Sequence, residues 1–122
     1  MELASKLAIG LVAVEHLYIL YMEMFSWERL GKKTFRGALA DELFKPTKVL
    51  AANQGLYNGF LAAGLIWSLF ISDKMWASNV ALFFLSCVII AAIYGGLSAS
   101  KKIIVVQGMP AFVALLFVLF TR

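Results

Sequence analysis

Four long apolar runs, separated by short polar connections, dominate the hydropathy pattern of this chain. The runs cover about residues 3–25, 47–71, 75–99 and 103–120. Each is long enough for a helix that crosses roughly 30 Å of hydrocarbon, which requires about 20 mostly apolar residues. We therefore predict an all-α fold, an integral membrane antiparallel four-helix bundle in which residues 1–122 form a single domain.

Residues at the ends of the runs agree with this division. Pro46 suits the first turn of the second helix, where its missing N–H is not needed. Asp73 lies in the turn that follows this helix. Pro110 interrupts the fourth run and cannot donate a hydrogen bond to the carbonyl of Val106, so it predicts a bend there.

The connection between the first two runs is the only long polar segment. It has a basic first half and an acidic patch, and Phe35, Leu39 and Leu43 recur at every fourth position. This spacing suits a short helix on the membrane surface, although a solvated loop is the simpler interpretation.

Polar residues also interrupt the second run, in the sequence Asn-Gln-Gly-Leu-Tyr-Asn-Gly at residues 53–59. Helical geometry, at about 100° per residue, places its amides and its tyrosine on adjacent stripes and Gly55 with Gly59 on a third. Polar groups inside hydrocarbon usually face a bundle interior or a wet cavity. The glycine stripe permits close helix contact, as do Gly95 and Gly96 in the third run.

Composition supports membrane insertion. The chain is 62% hydrophobic with a mean hydropathy of +0.87, well above the roughly 45–50% apolar content of soluble domains. The net charge of +4 is explained by basic connections, so we expect no nucleic-acid partner. One cysteine and one histidine exclude an internal disulfide, a cysteine-based zinc site and a multi-histidine metal or haem site within one chain.

Basic residues predict the orientation. The connection between the first two runs and the Lys101-Lys102 turn hold eight lysines and arginines, against three on the other side. By the positive-inside tendency, loops 26–46 and 100–102 are cytoplasmic and both termini lie outside a bacterial inner membrane.

Ionisable residues of the first run provide the candidate chemistry. Glu15 and His16 are expected near mid-membrane, with Asn58 at the same depth, and Glu23 near the cytoplasmic boundary. Gln54 is expected between the levels of His16 and Glu23. A buried carboxyl is expected to be protonated or paired with a cation. The predicted binding residues are Glu15, His16, Glu23, Asn53, Gln54, Tyr57, Asn58 and Gln107.

These residues allow three functions. We predict a non-enzymatic protein that binds or transports a small polar or cationic solute, with no cofactor and no metal. Glu15 would titrate and His16 would be its partner. The alternatives are a membrane enzyme that acts on a lipid-soluble substrate, with Glu15 or His16 as acid or base, and an assembly or regulatory subunit whose polar groups only bond helices together. Glu23 alternatively extends toward the interface.

A homo-oligomer is also expected, because four helices leave little interior. Its contacts are predicted at the glycine stripes of the second or third run.

Three segments resemble a family of small bacterial membrane proteins, catalogued as domain-of-unknown-function family 1304. They are Val-Glu-His-Leu-Tyr at 14–18, Met-Glu-Met-Phe at 22–25 and Lys-Val-Leu-Ala-Ala-Asn-Gln-Gly-Leu-Tyr-Asn-Gly at 48–59. The resemblance implies a bacterial four-helix inner-membrane protein and provides no catalytic residue.

Two other groups are similar in architecture only. Small multidrug-resistance exporters also have a glutamate in the first of four helices, but the residues around Glu15 do not follow their pattern. Membrane-associated glutathione-metabolising proteins have an arginine-rich binding pattern. No arginine lies between Phe44 and Arg122, which argues against an anionic thiol cofactor.

Overall fold

The computed structural model describes residues 1–122 and confirms the all-α prediction. It contains five α-helices and no strand. The helices are α1 (Leu3–Phe25), the short α2 (Lys32–Thr34), α3 (Lys48–Phe70), α4 (Lys74–Ser98) and α5 (Met109–Thr121). A π-helical turn, Ile104–Gly108, precedes α5 and continues into it.

Three helical segments are long and apolar enough to cross a membrane: Leu3–Phe25, Lys74–Ser98 and Ile104–Thr121. Helix α3 has 23 residues and is as long as α1. Its sequence is less apolar because it begins at Lys48 and contains three amides, Asn53, Gln54 and Asn58. The structure thus supports three membrane-spanning segments by length and composition.

The four long helices pack in a ring. Helix α1 contacts α3 most extensively and also contacts α5, while α4 packs against both α3 and α5. The centre is filled by fully buried aliphatic residues from all four, among them Val12, Leu65, Leu85 and Val118. Because one face of α1 is buried in this layer, the rotation of α1 is fixed, and with it the direction in which its polar residues point.

Close contact between α1 and α3 depends on the glycine stripe of α3. A Cβ atom added to Gly55 would lie 2.8 Å from Met24 Cγ and 3.0 Å from Glu23 Cβ, and one added to Gly59 would overlap Leu20. In the same way, Ile104 occupies the space beside Gly96. These glycines are therefore covered within the chain, and an oligomer would need a different surface from the predicted stripes.

The connection between α1 and α3 is a folded cap, which we call the loop cap (residues 26–47), and no continuous surface helix is present. Trp27 is its centre. Its ring lies 5.6 Å from Phe35 and 5.0 Å from Phe44, and its Nε1–H donates to Thr47 Oγ1 at 3.0 Å. Gly37, with φ of 86°, adopts a left-handed conformation that ends the helical spacing of the apolar residues.

The predicted interruption of the fourth run takes the form of the π-helical turn. Met109 N–H donates to Ile104 O, five residues earlier, and Pro110 lies in the first turn of α5. Because Pro110 has no N–H for Val106 O, the hydrogen-bond pattern changes at this point of the helix.

Candidate functional site

Glu23 and Asn58 join the polar faces of α1 and α3. Asn58 Nδ2 donates to Glu23 Oε1 at 2.7 Å and also approaches Gln54 O of its own helix at 3.2 Å. Glu23 is only 7% exposed, so its side chain is buried where α1 meets α3. A buried carboxyl that accepts a hydrogen bond from an amide of the neighbouring helix restricts the register of the two helices.

Glu15 lies on a different face of α1. It precedes Tyr18, Ile19 and Met22 by three, four and seven residues. These three line a cavity against the helical segment Ile104–Thr121 and the turn before it, which together we call the last span. Leu11, one turn earlier, lines a groove against α5. Glu15 therefore lies between two openings along the contact of α1 with the last span.

One oxygen of Glu15 has no partner. The side chain is half-buried, and its Oε1 atom is the only buried side-chain nitrogen or oxygen of the chain without a hydrogen bond. Buried polar atoms of native proteins are almost always satisfied, so this atom requires an explanation.

His16 is buried and bonds within its own helix. Its exposed fraction is 1%, and Nδ1 lies 2.9 Å from Val12 O, which accepts the bond when Nδ1 carries the proton. This bond uses one ring nitrogen for the backbone of α1, so that nitrogen is not available to Glu15.

The remaining residues predicted on α3 face out of the bundle. Asn53 and Gln54 are exposed, and Asn53 Nδ2 donates to Val49 O at 3.1 Å. Tyr57 is 57% exposed and lies beside Phe60, with 6.1 Å between ring centroids. The structure brings Asn58 to Glu23, and not to the level of His16, and it does not bring Asn53, Gln54 or Tyr57 into that contact.

Gln107 lines the cavity that α1 forms with the last span, below the loop cap. The cavity measures about 90 Å³ and is mostly apolar, and its lining also includes several polar residues. The cavity is also lined by Lys102, Ser100 and Thr34, which were not predicted from the sequence as binding residues. The sequence feature that could have indicated Lys102 is the Lys101-Lys102 turn, which is predicted at the same end of the bundle as the loop cap. The lining residues are Tyr18, Ile19, Met22, Thr34, Phe35, Ser100, Lys102, Ile103, Val106 and Gln107.

The chain also matches a known protein family over most of its length. The family model described as "Protein of unknown function (DUF1304)" matches residues 10–119. The chain belongs to the DUF1304 family. The matched range contains every candidate residue from Glu15 to Gln107, so the site described here lies within the family domain.

A bacterial protein is similar to this chain over most of its length. The chain is 35% identical over 114 residues to the uncharacterized protein YpaA of Lactococcus lactis subsp. lactis (strain IL1403), which covers 87% of this chain and 88% of the relative. No solved structure matches the chain. The family membership predicted from the sequence is thus confirmed, and any activity must be argued from the site itself.

Proposed function

We propose that this DUF1304 protein binds a small polar or cationic solute inside the membrane and that Glu15 is the group that contacts it. The observation that supports this proposal is the unpartnered Oε1 atom of Glu15. A charged carboxyl at the centre of a membrane helix costs roughly 2.5–3.5 kcal/mol on insertion scales. A cation or a hydrogen-bond donor of a solute would supply the missing partner and reduce that cost.

Glu23 and Asn58 form a second polar position nearer the loop cap. Glu23 follows Glu15 by eight residues, which corresponds to about 12 Å along α1. Its single bond to Asn58 leaves further acceptor capacity on the carboxyl, because a carboxylate accepts several hydrogen bonds. We propose that a transported solute exchanges with protons at Glu15, whereas Glu23, on the face of α1 that meets α3, is a separate polar position toward the cytoplasmic side.

The same proposal includes the membrane arrangement. Helix α3 packs between α1 and α4 along its length, and we infer that it completes a four-span bundle. The concentration of basic residues in the loop cap and in the Lys101-Lys102 turn supports a cytoplasmic position for both. Exposed Asn53, Gln54 and Tyr57 would then contact a second copy of the chain, lipid head groups or water at the membrane surface.

Ion exchange in proteoliposomes tests the solute proposal. Vesicles that contain the protein and a pH-sensitive dye are exposed to guanidinium, tetramethylammonium, sodium or potassium chloride. For at least one of these cations, we expect entry coupled to proton exit, so that the interior becomes alkaline. Glu15→Gln should reduce the rate to that of empty vesicles, because glutamine cannot exchange a proton.

Glu28→Gln is the matched control, since Glu28 is exposed and lies in the loop cap, outside the four long helices. This variant should retain the wild-type exchange rate. Exchange that is insensitive to both pH and Glu15→Gln, or no exchange with any of the four cations, would contradict the proposal.

A further inference from the structure

The cavity below the loop cap has the chemistry of a site for an amphiphile. Ile19, Met22, Ile103 and Val106 provide apolar walls from α1 and from the last span. Lys102, with the hydroxyl groups of Ser100 and Thr34, lies among the polar residues that also line it. An elongated molecule with an apolar body and an anionic end matches both parts of this lining.

The cavity has access to lipid from the side. Tyr18 is 51% exposed and Val106 is 44% exposed, and both lie in helical segments that are apolar enough to cross a membrane. A ligand can therefore enter from the bilayer, without passing through the aqueous phase. A free phosphate ion would gain little from apolar walls, whereas an acyl chain would bury its surface there.

The charges around the opening favour an anion. Lys102 is exposed and follows Lys101, and Lys33 and Arg36 flank the cavity residues Thr34 and Phe35 in the chain. The loop cap as a whole carries five basic and three acidic residues. Basic pockets between membrane helices on the cytoplasmic side attract anionic lipid head groups, and a lysine ammonium binds phosphate as a point charge.

The loop cap also holds one wall of the cavity in place. Phe35 lines the cavity and packs against Trp27, whose indole N–H is bonded to Thr47 at the start of α3. Thr47 Oγ1 in turn donates to Leu43 O at 2.7 Å. The wall is therefore supported by packing and hydrogen bonds before any ligand binds, which limits the entropy lost on binding.

We propose that this cavity is a binding site for an anionic phospholipid of the cytoplasmic leaflet. Lys102 contacts the phosphate, Ser100 and Thr34 donate hydrogen bonds to the head group, and the upper part of an acyl chain lies against Ile19 and Val106. The site uses neither Glu15 nor Glu23, so it is independent of the solute proposal.

Native mass spectrometry of the full chain in neutral detergent tests this site, with phosphatidylglycerol and phosphatidylcholine as the two probes. We expect phosphatidylglycerol to bind more tightly to the wild type. Lys102→Ala should weaken its binding roughly fivefold, because one basic residue near an anionic membrane contributes about 1 kcal/mol. Lys101→Ala is the matched control, since Lys101 is exposed and does not line the cavity.

A second pair of variants tests the apolar wall without changing charge. Val106→Phe fills the cavity and should reduce phosphatidylglycerol binding, whereas Val105→Phe, at an exposed position outside the lining, should not. Thermal unfolding without added lipid identifies any variant that fails to fold. Equal losses in Lys101→Ala and Lys102→Ala would indicate only general surface attraction and would overturn the proposal. Equal binding of the two lipids, or unchanged binding in Val106→Phe, would do the same.

Discussion

Gly55→Ala is expected to lower the free energy of unfolding by roughly 1–3 kcal/mol, the usual cost of adding volume to a closely packed contact. The added Cβ would lie 2.8 Å from Met24 Cγ, 3.0 Å from Glu23 Cβ and 3.2 Å from Leu20 O. Leu20 O belongs to the backbone of α1 and Glu23 Cβ is attached to it, so neither atom can move without the helix. Helices α1 and α3 must separate, which also stretches the bond between Asn58 and Glu23.

Unfolding with sodium dodecyl sulfate in mixed micelles measures this change. Gly10→Ala is the matched control, because Gly10 lies in α1 and a Cβ added there meets no atom within 4 Å. The control should raise the free energy of unfolding by up to about 1 kcal/mol, since alanine favours a helix more than glycine does. Equal effects of the two substitutions would show that α1 and α3 are not packed as described.

Asn58→Ala is expected to lower the free energy of unfolding by about 1–2 kcal/mol, between the usual strength of interhelical hydrogen bonds in membranes and the cost of an unsatisfied buried acceptor. The substitution removes the donor that lies 2.7 Å from Glu23 Oε1 and leaves a carboxyl that is 7% exposed. The same micelle titration provides the measurement.

Asn53→Ala is the control for this change, because Asn53 is exposed and bonds only to Val49 O of its own helix. Its effect should stay within roughly 0.5 kcal/mol, as for most exposed positions. A double-mutant cycle with Glu23→Ala should give a coupling energy of about 1 kcal/mol. Additive effects of the two alanine substitutions would mean that Glu23 and Asn58 do not interact in the folded protein.

Glu23 and Glu15 illustrate how much of the candidate site was predictable. Both were identified from the sequence because ionisable side chains are rare in apolar runs. Helical periodicity places Asn58 on the polar face of α3, but the partner of Asn58 depends on the depth of α3 relative to α1. The Gly55 and Gly59 contacts determine that depth, and they bring Asn58 to Glu23 and not to the level of His16.

Asn53, Gln54 and Lys102 show where prediction from periodicity failed or was silent. The polar and glycine stripes of α3 were correctly separated, but the spacing does not tell which stripe faces α1. In the structure, the glycine stripe faces α1. Asn53 and Gln54 therefore face outward. Lys102 lines a cavity only because the loop cap folds over the end of the bundle. This folding depends on contacts of Trp27 with Phe35 and Thr47, which lie 8 and 20 residues later in the chain.

The sequence by itself determined the helical class and the approximate boundaries of the long helices, because hydropathy and residue spacing are properties of continuous segments. The family followed from the resemblance of three short segments and was confirmed by the match over residues 10–119. The tertiary structure decided which polar groups meet and which remain without a partner. It also decided that the glycine stripes pack within the chain and that a cavity lies below the loop cap. These features depend on the rotation and depth of each helix against its neighbours, which are set by side-chain packing between segments distant in the chain.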